Sequence, residues 1–144
     1  MPTDPKLAAI QRFFDAYAAQ DVESARAVLA DDIEWHIPGH HPLAGTKRGI
    51  SEVLAFFAEL AKVGFQADPI FIGTNEEYAV DIHRGFSTQG TGKVDTTWAL
   101  VWHFGPDGKI DRVVNLSGDQ HQMDHFVWQN FPLKPIPDRL DPSG

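Results

Sequence analysis

The chain contains no cysteine. That excludes a disulfide framework, a thiolate nucleophile and a thiolate metal site, and it suits a cytoplasmic protein. Positive charge is also scarce, with 12 Lys and Arg against 20 Asp and Glu and a formal net charge of −8. The acids are scattered and no basic stripe offsets them, so a phosphate backbone has nothing to grip and nucleic acid is not an expected partner. No apolar run approaches the roughly eighteen residues of a membrane span. The opening residues MPTDPKLAAI lack the basic-then-apolar order of a secretion signal. The expectation is a cytoplasmic protein that neither crosses nor binds a membrane.

What is present is apolar and aromatic. Hydrophobic residues make up 42% and aromatics 11% of 144 residues, enough for one domain with a real core. Residues 1–128 read as that domain, and 129–144 as a proline-rich tail. The most informative stretch is 93–104, KVDTTWALVWHF. Val94, Thr96, Trp98, Leu100, Trp102 and Phe104 alternate with Lys93, Asp95, Thr97, Ala99, Val101 and His103, which is the period of a β-strand. Twelve residues span about 40 Å at the usual rise. A strand so long, with bulky rings on one side, belongs in the middle of a curved sheet, and its aromatic face is either core or the wall of a pocket.

The other elements follow from caps and periodicity. Asp4 and Pro5 open a helix over 4–20, whose apolar face carries Leu7, Ile10, Phe13, Phe14 and Tyr17. Asp21 caps a second helix over 22–29, and Asp31-Asp32 breaks it. A short strand over 33–37 enters the loop PGHHPLAGTKRG. Ser51 then caps a third helix over 51–63 that ends at Gly64. Strands over 65–72, 78–88, 94–104 and 109–117 are separated by glycine-bearing turns, which predicts an antiparallel meander; 119–129 reads as a last short helix. The expected architecture is α+β: a cone-shaped, strongly bent antiparallel sheet, with N-terminal helices covering its concave face and enclosing a pocket.

The order of two helices, ADDIEWHIPG, the loop HHPLAGTKRG opening a helix, and the hairpin WALVWHFGPDGKIDRVVNLSGDQ resembles the SnoaL-like branch of the nuclear-transport-factor-two-like superfamily, over roughly residues 6–128. The resemblance implies a cone-shaped fold with a deep pocket and a homodimer formed through the sheet. It does not imply one activity, because ketosteroid isomerases, polyketide cyclases, epoxide hydrolases and non-catalytic binders share the fold. Matched by motif, the isomerase tyrosine falls on Phe13, its base on Ile37 and its second acid on Leu100. The cyclase acid falls on Asn115, which cannot exchange a proton at neutral pH. Arg84 is the one pocket-face candidate for the cation of the epoxide hydrolases, whose two carboxylates find no match.

The expected pocket wall is therefore Phe13, Tyr17, Trp35, Ile37, Phe57, Arg84, Trp98, Leu100, Trp102 and Asn115. Tyr17 either donates to a ligand carbonyl or has its hydroxyl satisfied by backbone, and Asn115 either anchors a ligand or serves the fold. Arg84 either grips a carboxylate ligand or pairs with a structural one. His36, His40 and His41 cluster, and His121 and His125 lie four apart, but no complete metal-ligand pattern exists; neither a metal nor another cofactor is expected. His36, His83 and His103 are expected on the opposite, dimer-forming face. His40 or His41, at the rim, is the candidate proton-transfer group. Two readings stay open: a protein that binds a small hydrophobic molecule in an apolar pocket, and a small-molecule enzyme of cyclase, isomerase or hydrolase type with an atypical histidine site.

Overall fold

The computed structural model describes residues 4–131. Helix α1, Pro5–Ala19, starts where Asp4 accepts a hydrogen bond from the Lys6 amide, and it ends at Gln20 in the left-handed region, φ 55°. Asp21 caps α2, Val22–Val28, through the Ser24 amide. Strand β1, Leu29–Ile37, follows at once. It is longer than its alternation suggests, because a shift of register between Leu29 and Glu34 takes up Asp31-Asp32 as a bulge instead of a break. Strand β2, Gly45–Arg48, lies inside what reads as a loop; four residues with one buried side chain, Lys47, carry too little pattern to show in sequence. Helix α3, Ile50–Lys62, leads to β3, Gln66–Thr74, β4, Tyr78–Phe86, β5, Asp95–Phe104, and β6, Ile110–Ser117, before α4, Gln120–Asn130. Phe131 is buried, and the remainder of the expected tail, 132–144, lies outside the described residues.

The six strands form one sheet in the order β2-β1-β6-β5-β4-β3. The β3 to β6 meander is antiparallel, whereas β1 runs parallel to β6, with Trp35 opposite Val113. The sheet is therefore mixed. Hairpin turns can only build antiparallel neighbours, and the parallel pair arises where the chain returns after α3 and the whole meander.

Strand β5 buries Trp98, Leu100, Trp102 and Phe104, as its alternation requires. Phe13 of α1, Trp35 of β1, Phe57 of α3 and Trp102 pack ring on ring, with centroids 4.9 to 5.8 Å apart. Each buried indole removes about 200 Å² from water, worth about 5 kcal/mol before its ordering cost is counted. These rings are the centre of the core.

Strand β4 turns the other way from its expected face. Ala79, Asp81 and His83 are buried and stand opposite Trp102, Leu100 and Trp98, while Tyr78, Val80 and Arg84 are exposed on the far side. Directly opposed residues share a face, so the rings of β5 select small neighbours. A Cβ on Gly85 would lie 2.5 Å from the Trp98 indole nitrogen, which donates to the Gly85 carbonyl at 3.3 Å. Volume across the strand pair, not the hydrophobicity of β4 alone, decides which face is inner. Two expectations are corrected by it: Arg84 is on the outer face, and His83 on the inner.

Candidate functional site

Two cavities flank α1. The larger, about 1350 Å³, is an open cleft between α1 and the edge strand β3. Leu7 and Phe14 of α1 form one wall, and Phe65, Pro69 and Ile72 form the other. Ile70 and Phe71, exposed by 62% and 58%, make the lip where β3 bulges between Pro69 and Phe71. Because β3 ends the sheet, no further strand covers its side of the cleft.

At the cleft floor stand Asp81 and His83, two residues apart on the inward face of β4. Both are nearly buried, at 5% and 6% exposure. His83 Nδ1 lies 3.1 Å from Asp81 Oδ2, while Asp81 Oδ1 accepts a hydrogen bond from the Trp102 indole at 3.0 Å. The Phe14 ring meets His83 edge-on at 6.0 Å. A carboxylate beside Nδ1 keeps the ring proton there and leaves Nε2 as an acceptor. Nε2 bonds to no group among the described residues. The arrangement is an oriented imidazole, on a residue that lines the cleft, with a second nitrogen suited to accepting a proton or a hydrogen bond. A carboxylate and a histidine at i and i+2 on one strand was a usable signal. It was masked because the apolar residues of β4 point the other way.

The smaller cavity, about 90 Å³, lies between α1, α2 and α3 and is lined by Phe13, Tyr17, Leu54 and Phe57. Tyr17 borders both cavities, and its hydroxyl donates to the Phe65 carbonyl at 2.8 Å. Burial pushes its phenol up to about 12, so it stays protonated and committed to backbone. Of the other expected wall residues, Trp35, Ile37, Trp98, Leu100 and Trp102 are core side chains. Asn115 accepts from the Trp35 indole at 2.7 Å, which assigns its oxygen to the fold.

Arg84 forms a fork on Asp95, at 2.9 and 2.6 Å, with Asp68 at 3.4 Å and the Phe86 ring 4.2 Å away, all on the outer face. The hydrogen bonds from Arg84 hold the Asp95 carboxyl below its ordinary value. His40 and His41 sit in the β1–β2 turn, near the sheet edge opposite to β3. His40 is exposed, its amide donating to Asp124 and its carbonyl accepting from the Trp128 indole. His41 is 4% exposed, and its Nδ1 accepts from the Leu43 amide at 3.1 Å. Its Nε2 has no hydrogen-bond partner and lies 4.0 Å from Asp124. Burial pushes the His41 ring down to about 4, outweighing the pull of Asp124. Neither histidine lines the cleft. Among the described residues, no three or more His, Asp or Glu side chains group as a metal site would require, and no helix is long and apolar enough to cross a membrane.

An α+β cone with helices against a bent sheet and a cleft beside the first helix is the architecture of the nuclear-transport-factor-two-like proteins. The chain belongs to the SnoaL-like domain family, whose model matches residues 10–113. An uncharacterised protein of Mycobacterium tuberculosis is 36% identical over 61 residues, which are 42% of this chain and 47% of that protein. The chain thus spans about half the length of the curated relatives it matches. Among solved structures it is similar to Bal32a, from a soil-derived mobile gene cassette, with a TM-score of 0.80 at 20% identity over 85% of this chain and 96% of that one. A protein of unknown function from Burkholderia pseudomallei, described as nuclear-transport-factor-two-like, gives 0.77 at 21% identity over 87% and 98%. At such identities the likeness is one of fold.

Proposed function

We propose that the protein takes a small, largely apolar molecule into the cleft between α1 and β3, and that His83, oriented by Asp81, accepts a proton from it. The observation that carries the reading is His83 at the floor of a cleft with apolar walls, its Nδ1 on Asp81 and its Nε2 without a partner among the described residues. Asp81 is in turn held by Trp102, so the pair is anchored in the core instead of on a loop. Carbonyl compounds with an acidic neighbouring C–H fit this arrangement, since removing that proton needs one positioned base. The test is solvent-deuterium exchange of the ring-flanking protons of 2-tetralone, followed by proton NMR. The protein should accelerate exchange, and His83→Phe should lose most of the acceleration; equal rates in the two would refute the assignment.

A second reading, binding without turnover, is favoured by the apolar lining of the cleft and by the replacement of the isomerase and cyclase acids at Ile37, Leu100 and Asn115. In that case His83 is a hydrogen-bond acceptor only, and the unaltered protein gives no accelerated exchange of 2-tetralone. We also propose a cytoplasmic homodimer through the outer sheet face, where Val80 and Leu116 stand exposed by 37% and 51%. Val80→Glu should convert the dimer to monomer in sedimentation analysis. A monomeric unaltered protein would remove the idea.

A further inference from the structure

The charges around the cleft are unequal. Asp15, Asp21 and Asp81 line it, and Arg12 is the sole cation among its lysine, arginine and acidic residues. Asp15 accepts from Gln11 at 2.9 Å, which leaves its charge in place. The Asp21 carboxyl is held below its ordinary value first by its bonds from Ser24, with the nearby charge of Arg12 a lesser cause. Arg12 thus already faces an acid on the same rim. Both oxygens of Asp81 are taken by Trp102 and His83. Three carboxylates against one guanidinium leave a negative field, and low-dielectric walls concentrate such a field. The polar group offered at depth is again an acceptor, Nε2 of His83, a side chain 6% exposed.

Acceptor below and negative field above select the same kind of ligand. Resting on the second reading of the cleft, as a binding site without turnover, we propose that its ligand is an apolar molecule with a hydrogen-bond donor head group and no negative charge, and that the cleft rejects carboxylates and phosphates. A hydroxyl or an ammonium group can donate to Nε2; a carboxylate brings a second acceptor to an acceptor and a fourth negative charge to the cleft. Leaving a buried acceptor without its donor carries its own cost, which sharpens the discrimination. The overall charge of −8 acts in the same direction on approach.

The test is calorimetric titration of the full chain with four naphthalenes of one shape: 2-naphthol, 2-(aminomethyl)naphthalene, 2-naphthoate and 2-methylnaphthalene. Naphthol and the amine should bind at least about tenfold more tightly than naphthoate and than the methyl compound, the step that one good polar contact makes. Replacing Asp15 by Asn should narrow the gap between naphthol and naphthoate. His83→Phe should bring naphthol down to the methyl compound, while His83→Gln, which keeps an acceptor oxygen, should retain the preference and shows that loss of fold is not the cause. Naphthoate binding as tightly as naphthol would overturn the charge selection. The methyl compound binding as tightly would overturn the donor requirement while leaving the cleft as a binding site. Failure of all four would overturn the cleft itself as the ligand site, and this inference with it.

Discussion

Acidification should find its weak point at His41, far from the cleft. The ring is packed between the β1–β2 turn and α4, with Asp124 4.0 Å from Nε2 and with Lys47 and His40 also acting on its charge. Desolvation is the largest influence and opposes the charged form; Lys47 and His40 oppose it further, and Asp124 favours it. The folded ring therefore protonates at about 4, against 6.5 for an ordinary histidine. The unfolded chain takes up the proton first, so the folded state keeps its full stability above pH 6.5 and loses it as the pH falls toward 4. A gap of about 2.5 pH units corresponds to about 3.4 kcal/mol, a large part of the 5 to 15 kcal/mol by which domains are usually stable. The clean comparison is His41→Asn, which does not titrate and whose Oδ1 takes the place of Nδ1 in accepting the Leu43 amide. Urea unfolding measured from pH 7.5 to 4 should show the unaltered protein losing about 3 kcal/mol more than the variant. Parallel curves would refute the reasoning, as would an NMR titration that places the His41 midpoint near 6.5.

Two substitutions test the placement of β4. Gly85→Ala puts a methyl 2.5 Å from the Trp98 indole nitrogen and should cost about 1 to 3 kcal/mol in chemical unfolding, the range for overpacking; a neutral result would mean that Trp98 does not lie across that glycine. Arg84→Gln breaks an ion pair whose members are each about half exposed, so stability should move by less than about 1 kcal/mol. Naphthol affinity should not change, because Arg84 is outside the cleft; a large loss of affinity would return it to the ligand wall.

Much of the fold is readable in local chemistry. Asp4-Pro5 and Asp21 mark helix starts, glycine-bearing turns mark hairpins, and the alternation of β5 marks its buried face; each depends on residues close in sequence. What local chemistry does not show has one cause, a partner distant in sequence. Strand β1 borrows two aspartates as a bulge because β6 lies beside it, and β2 exists only because β1 offers it an edge. The candidate site is the same case. His40 and His41 stand out in the sequence by adjacency, yet their turn lies at the other end of the strand order from the cleft. The sequence leaves two roles open for Tyr17 and for Asn115, because the partners that decide between them, the Phe65 carbonyl and the Trp35 indole, are 48 and 80 residues away.

The aromatic strand shows where the division falls. Its period, its turns and its caps are properties of neighbouring residues, and they are enough to establish an α+β chain built around 93–104. Whether its rings would wall an open cup or fill a core depended on Phe13, Trp35 and Phe57 arriving from three other elements, and they fill it. The same rings left room on β4 for small or polar partners only, which brought Asp81 and His83 inward and sent Arg84 out. A strand's pattern says that it has two faces. Its neighbours, by volume and hydrogen bonding, say which face is inside.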